Sequence, residues 1–217
     1  MSPRLLATSL LALGAACAHP HLPALAALPS AAKVSAAAQC QQAFPQQPWR
    51  ATHTLLATLP LGYNGGLVGV LAVGPEGLHA ILLSPEGISL FEGLQKKSGS
   101  GGLAILRAVP PFDRSDFAAG LMADVGNAFL PPAGEPAEIG RAATGETVCR
   151  WNLPGYEATE VQLGANGPAS IRTFRNLIVT RQIDLLGAAD HGFFPQVRLT
   201  VPGPGGYTLE MQLVDHE

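Results

Sequence analysis

The sequence predicts a mainly β (α+β) fold, an antiparallel meander carrying a docked helix. Three observations point there. Two connections, Gly74-Pro75-Glu76-Gly77 and Ser84-Pro85-Glu86-Gly87, repeat one turn chemistry, in which proline presets φ and glycine accepts positive φ. Apolar alternation of period two recurs on both sides of these turns, as in hairpins rather than βαβ units. One stretch has a strong helical stripe instead: Phe117, Leu121, Val125 and Phe129 fall at i, i+4, i+8 and i+12.

In chain order, a short helix over 35–43 is stopped by Pro45 and Pro48. Strands follow over 50–59, with Leu55, Ala57 and Leu59 on one face, and then over 66–73, 77–84 and 87–92. Residues 67–73 and 78–83 are apolar on both faces, whereas a sheet with one wet face alternates cleanly. A helix, a ligand or both should therefore cover the second face. Lys96 to Gly102 is a Gly/Ser loop without the spacing of a phosphate-binding loop. The main helix opens near Asp113 or Ser115 as caps, with Asp116 in its first turn, and stops at Pro131-Pro132. Its apolar stripe must dock on a sheet. Strands return over 146–152, 157–164, 170–178, 181–186, 195–202 and 207–214. The last is the cleanest, with Tyr207, Leu209, Met211 and Leu213 inward.

Composition bounds the function. The 217 residues are 47% hydrophobic and 13% charged with a net charge of −3, against about 25% charged in an average soluble domain. Nothing supplies the clustered Lys and Arg that nucleic-acid binding needs. Length suits one domain with one core.

The N-terminus reads as an export signal. Met1 to Arg4 is basic, Leu5 to Leu13 is an apolar run too short to span a bilayer, and small residues precede Cys17. Leu13-Gly14-Ala15-Ala16-Cys17 resembles a bacterial lipobox, which implies acylation of Cys17 after removal of residues 1–16. Ordinary signal-peptidase cleavage is the alternative. Ala18 follows, where an aspartate would retain an enterobacterial lipoprotein at the inner membrane, so the expected address is the periplasmic face of the outer membrane. Inner-membrane anchoring or release to the periplasm are the alternatives. Residues 17–38, rich in Ala and Pro, read as lipidated N-terminus and tether, with the folded domain over 39–217. His19-Pro20-His21 lies in that tether without further metal ligands.

With Cys17 acylated, Cys40 and Cys149 remain. An exported protein lives where disulfides persist, and an even remainder suits one bridge. Two free buried thiols are the other reading. Neither cysteine has zinc-ligand spacing, and no metal or cofactor is expected.

The lipobox, short helix, strands, helix and returning strands resemble the lipoprotein carrier and receptor group, the LolA/LolB-like fold, nearest to LolB-related bacterial lipoproteins. The stretches that carry the resemblance are His53-Thr-Leu-Leu-Ala-Thr-Leu59, Gly69-Val-Leu-Ala-Val73, Ile81-Leu-Leu-Ser-Pro-Glu-Gly-Ile-Ser-Leu-Phe91 and the strand start at Phe194-Pro195. It implies an open antiparallel half-barrel of about 9–11 strands, with one or two helices closing its concave face over an apolar cavity for acyl chains. On this sequence the expected cavity or lid residues are Leu56, Val70, Ile81, Leu83, Phe91, Leu121, Val125 and Phe129; ordinary core packing would use the same residue types. The implied partner is a lipid or acylated protein, with the membrane reached through the N-terminal acyl anchor. A structural lipoprotein that docks another envelope protein without a ligand is the competing function.

An enzyme is not expected. Asp190-His191 and His216 are the candidate bases, but no G-x-S-x-G elbow or H-E-x-x-H motif accompanies them. The 16 acidic residues are too scattered for glycosidase work. His53 and His79 lie within strands and read as half-buried, hydrogen-bonded residues.

Overall fold

The structure, a computed structural model, describes residues 22–58, 64–96, 102–153 and 157–217. Cys17 and Leu59 lie outside these residues, as do His19, Pro20, His21 and residues 97–101 of the Gly/Ser loop.

The described chain builds one open antiparallel sheet and two helices. The strands are β1 (Ala26–Ala27), β2 (Trp49–Thr58), β3 (Asn64–Val73), β4 (Gly77–Leu83), β5 (Ser89–Lys96), β6 (Leu103–Ala108) and β7 (Glu138–Arg141). The sheet continues with β8 (Thr147–Leu153), β9 (Glu157–Gly164), β10 (Gly167–Arg175), β11 (Ile178–Leu186), β12 (Gln196–Val201) and β13 (Tyr207–His216). Helix α1 spans Ser30–Gln41 and α2 spans Ser115–Phe129. Strand order is β1-β7-β8-β9-β10-β11-β12-β13-β2-β3-β4-β5-β6, so β13 joins a C-terminal meander to an N-terminal one.

Register defines a single inner face. Directly opposed residues share a face, and the pairs run Cys149–Val161–Ile171–Ile183–Leu199–Leu209–Ala57 across seven strands. Beyond β2 the same face continues through Leu71, opposite Ala51 on β2 and Ala80 on β4. Helix α1 lies on the β7 to β10 part of this face and α2 near β4 and β5. Trp151, Val161, Ile171, Ile183 and Leu199 fill the interior at 0–1% exposure.

Thirteen strands replace the expected 9–11. The three additions are β1, β6 and β7, two of them only two and four residues long. In β6, Ile105 and Leu106 are both exposed, which erases the alternation that marks a half-buried strand. The second face of β3 and β4 also differs from expectation. Val68 opposes Leu83 and Val70 opposes Ile81, half-buried as cross-strand pairs on the outer face. No described helix lies over them. Mutual shielding, not a cover, accounts for their apolarity.

Order begins earlier than the tether boundary anticipated. Pro29 precedes Ser30-Ala31-Ala32, and alanine is the best helix former, so α1 starts at Ser30 rather than Ser35. Ahead of it β1 pairs with β7 at the sheet edge. Arg150, on the outer face of β8, donates to Glu160 at 2.9 Å, to Glu138 at 2.9 Å and to the Pro23 carbonyl at 3.0 Å. Residues 23–38 are thus built into the domain. Cys40 of α1 is disulfide-bonded to Cys149 of β8 across 109 residues of sequence.

Candidate functional site

Between α2 and the N-terminal meander lies a cavity of about 850 Å³, toward the upper end of ordinary ligand pockets. Its floor is the inner face of β2, β3 and β4, where Leu55, Ala57, Leu67, Gly69, Ala80 and Leu82 contribute. The Leu55 side chain lies over Gly69, where a Cβ would come within 2.9 Å of Leu55 Cδ1. Leu209 and Met211 of β13 and Phe91 of β5 form the walls.

Helix α2 makes the roof by splitting its apolar residues into two seams. Ala118 and Met122 are fully buried, while Phe117, Leu121 and Val125 border the cavity. The connection Pro110-Pro111-Phe112 closes one side, and Phe112 meets Phe117 edge-on at 5.5 Å. The expected caps differ: Arg114 occupies the N-cap position and no side chain caps the helix, although Asp116 does sit in the first turn. Arg114 and Asp116 form an exposed ion pair at 3.6 Å on the rim.

Of the eight residues expected at the cavity or its lid, Phe91, Leu121 and Val125 border it, as does Ile81 by its place on β4, its side chain pairing with Val70 on the outer face. Leu56, Val70 and Leu83 are not among its described lining residues, nor is Phe129, which belongs to the roof helix α2. Leu56 is 49% exposed because the inner residues of β2 are Leu55 and Ala57. Val70 and Leu83 alternate with the inward Leu71 and Leu82. In strands apolar on both faces, composition does not reveal this parity. Phe129 is buried deeper, with its ring 5.9 Å from Trp49 and 5.3 Å from His53.

Of two buried polar residues near the cavity, Asp124 escaped the sequence reading and His53 was read differently. Asp124 of α2 is 2% exposed and accepts a hydrogen bond from Arg181 of β11, tying the roof to the other meander. Burial pushes its carboxyl up, against the opposing pull of Arg181. His53 is 2% exposed, borders the cavity, and its Nδ1 has no partner among the described residues. Burial, with a contribution from His216, lowers its pKa to about 4, so the ring is neutral at neutral pH. It is not the half-buried, hydrogen-bonded residue expected. A histidine inside an apolar alternation was the only available signal. His79 is half-buried, with Nε2 3.0 Å from Glu92.

The candidate bases sit elsewhere. Asp190 lies 3.3 Å from His216 and 3.7 Å from the exposed His191. None of the three is among the cavity's lining residues. Among the described residues no group of three or more His, Cys, Asp or Glu stands ready to hold a metal ion. No described helix is long and apolar enough to cross a membrane.

An open antiparallel sheet roofed on one face by helices over an apolar cavity is the LolA/LolB-like fold. Solved structures share it. A LolA superfamily protein from Nitrosomonas europaea superposes with a TM-score of 0.52 at 9% identity, over 85% of this chain and 92% of that one. An outer membrane lipoprotein-sorting protein domain from Vibrio parahaemolyticus gives 0.51 at 10% identity, over 86% and 92%. No family model and no curated protein sequence matches the chain.

Proposed function

We propose that this protein is a non-enzymatic envelope lipoprotein of the carrier or receptor type, binding an acyl chain, a lipid or an acylated protein beneath α2. The observation that carries this reading is the cavity: about 850 Å³, walled by Leu55, Leu67, Leu82, Phe91 and Leu209, with its few polar groups at His53, Tyr207 and the rim. Apolar surface of that extent gains free energy when an apolar ligand displaces water from it, at about 25 cal/mol per Å². Likeness to a lipoprotein-sorting domain supports the same class of cargo. Cys17 supplies the acyl anchor, and the protein works at the periplasmic face of the outer membrane. Leu121, Val125 and Phe91 contact the cargo.

Organic extracts of the purified protein, analysed by mass spectrometry, should contain acyl species in stoichiometric amount. The delipidated protein should bind a hydrophobic fluorophore that lipid then displaces. A folded protein with neither bound lipid nor fluorophore binding overturns the proposal.

A further inference from the structure

The cavity wall contains a polar group that packing does not use. His53 sits on the inner face of β2 opposite Gly69 of β3 and Leu213 of β13. Gly69 borders the cavity and places no side chain over the ring. Phe129 packs against the imidazole at 5.3 Å, and Nδ1 finds no hydrogen-bond partner among the described residues. A leucine or phenylalanine would fill this position in keeping with Leu55 and Leu71 beside it. The histidine instead leaves a buried polar atom unsatisfied, at a cost of about 1–3 kcal/mol. Such a cost has a physical reason when a ligand supplies the missing partner.

We propose that His53 is a ligand-recognition residue whose imidazole hydrogen-bonds the ester carbonyl of an acyl ligand lying in the cavity. The inference rests on the acyl-binding reading and narrows it to ester-bearing chains over plain hydrocarbon. Two features favour an uncharged oxygen. The ring is neutral, since burial and His216 hold its pKa near 4, so it offers a carboxylate no counter-charge. The nearest cation along the lining, Arg114, is exposed at the rim and already bridged to Asp116. An ionised carboxylate drawn in as far as His53 would be an unpaired charge in an apolar site, whereas an ester needs only one donor.

The test compares methyl palmitate with hexadecane as competitors for a hydrophobic fluorophore on the purified, delipidated protein, alongside the ring-nitrogen NMR signals of His53. Methyl palmitate should bind roughly five- to tenfold more tightly, the worth of one neutral hydrogen bond, and should shift the His53 nitrogens. In His53→Phe the two competitors should become equal while hydrocarbon binding persists. Equal binding in the wild type, or His53 nitrogens unmoved by the ester as for a ring that serves only water, overturns this inference and leaves the acyl-binding reading standing. Binding of neither competitor overturns both. Should His53→Phe fail to fold, the wild-type preference and nitrogen shifts decide alone.

Discussion

Under α1 the inner face carries Val161 and Ile171, each fully buried, with Cys149 bonded to the helix above. Under α2 the same face carries Leu55, Ala57, Leu67 and Ala80, and it borders the cavity. One sheet, one face and one kind of cover give a close-packed core on one side and a chamber on the other. The difference lies in how the helix sits on the face. Where β-branched and aromatic residues line the face, the helix seats on them at crystal-like density. Over the N-terminal strands α2 is buried at Ala118, Met122 and Phe129, while Phe117, Leu121 and Val125 border open space. The covers are also fastened differently: α1 by a covalent bond, α2 by packing and one buried ion pair, Asp124 with Arg181.

The largest expected effect tests the fastening of α1. Replacing both Cys40 and Cys149 by alanine releases a loop of 109 residues, and the chain-entropy relation puts the loss at about 4–5 kcal/mol. Urea unfolding measures it. Hydrogen exchange should then show α1 opening while α2 retains its protection. Equal loosening of both helices would show that the two halves unfold as one unit and would break the comparison.

A second test sets two neighbouring leucines against each other. Leu199 of β12 and Leu209 of β13 are direct partners, yet Leu199 is 1% exposed in the filled core while Leu209 borders the cavity. Leu199→Ala opens a void in packed surroundings and should cost about 3–5 kcal/mol. Leu209→Ala enlarges a space already present and should cost about 1–2 kcal/mol, the transfer contribution alone. Matching losses in urea unfolding would mean that the β13 side of the chamber is packed as tightly as the core.

How much of this was readable from the residues follows the same division. Strands with clean alternation were legible. In β13, Tyr207, Leu209 and Met211 do line the cavity, because Thr208, Glu210 and Gln212 between them mark the other face. The cavity itself was not legible on β3 and β4, where Val70 and Leu71 are equally apolar and only pairing register decides which points inward. Nor was the double seam of α2, since a stripe at i, i+4 does not tell which of its residues meet a wall and which meet space. Asp124 was invisible for another reason: its partner, Arg181, lies 57 positions away and becomes adjacent only in the finished fold. The edge strand β1 was lost among alanines, whose small side chains leave the same trace in a linker and in a sheet edge.

The smallest effect bears on the chamber side alone. The unfolded chain protonates His53 near its ordinary value of 6.5, whereas the folded chain does so only near 4. Between those values the unfolded state binds more protons, so stability falls as pH falls through this window and is unaffected above it. At pH 5 the loss amounts to about 2 kcal/mol relative to neutral pH. His53→Phe removes it. Urea unfolding of wild type and variant at pH 7.5 and pH 5 isolates this residue, because the other titrating groups are common to both proteins. His216 adds to the shift by its own positive charge, so His216→Gln should shrink the difference without abolishing it. The filled core has no counterpart to this response, since its inner face under α1 carries no ionisable side chain opposite Val161 or Ile171. Acid should therefore loosen β2 and the cavity before it disturbs the strands beneath α1. Simultaneous loss of protection in both regions would show that His53 acts on the whole fold rather than on the chamber it borders.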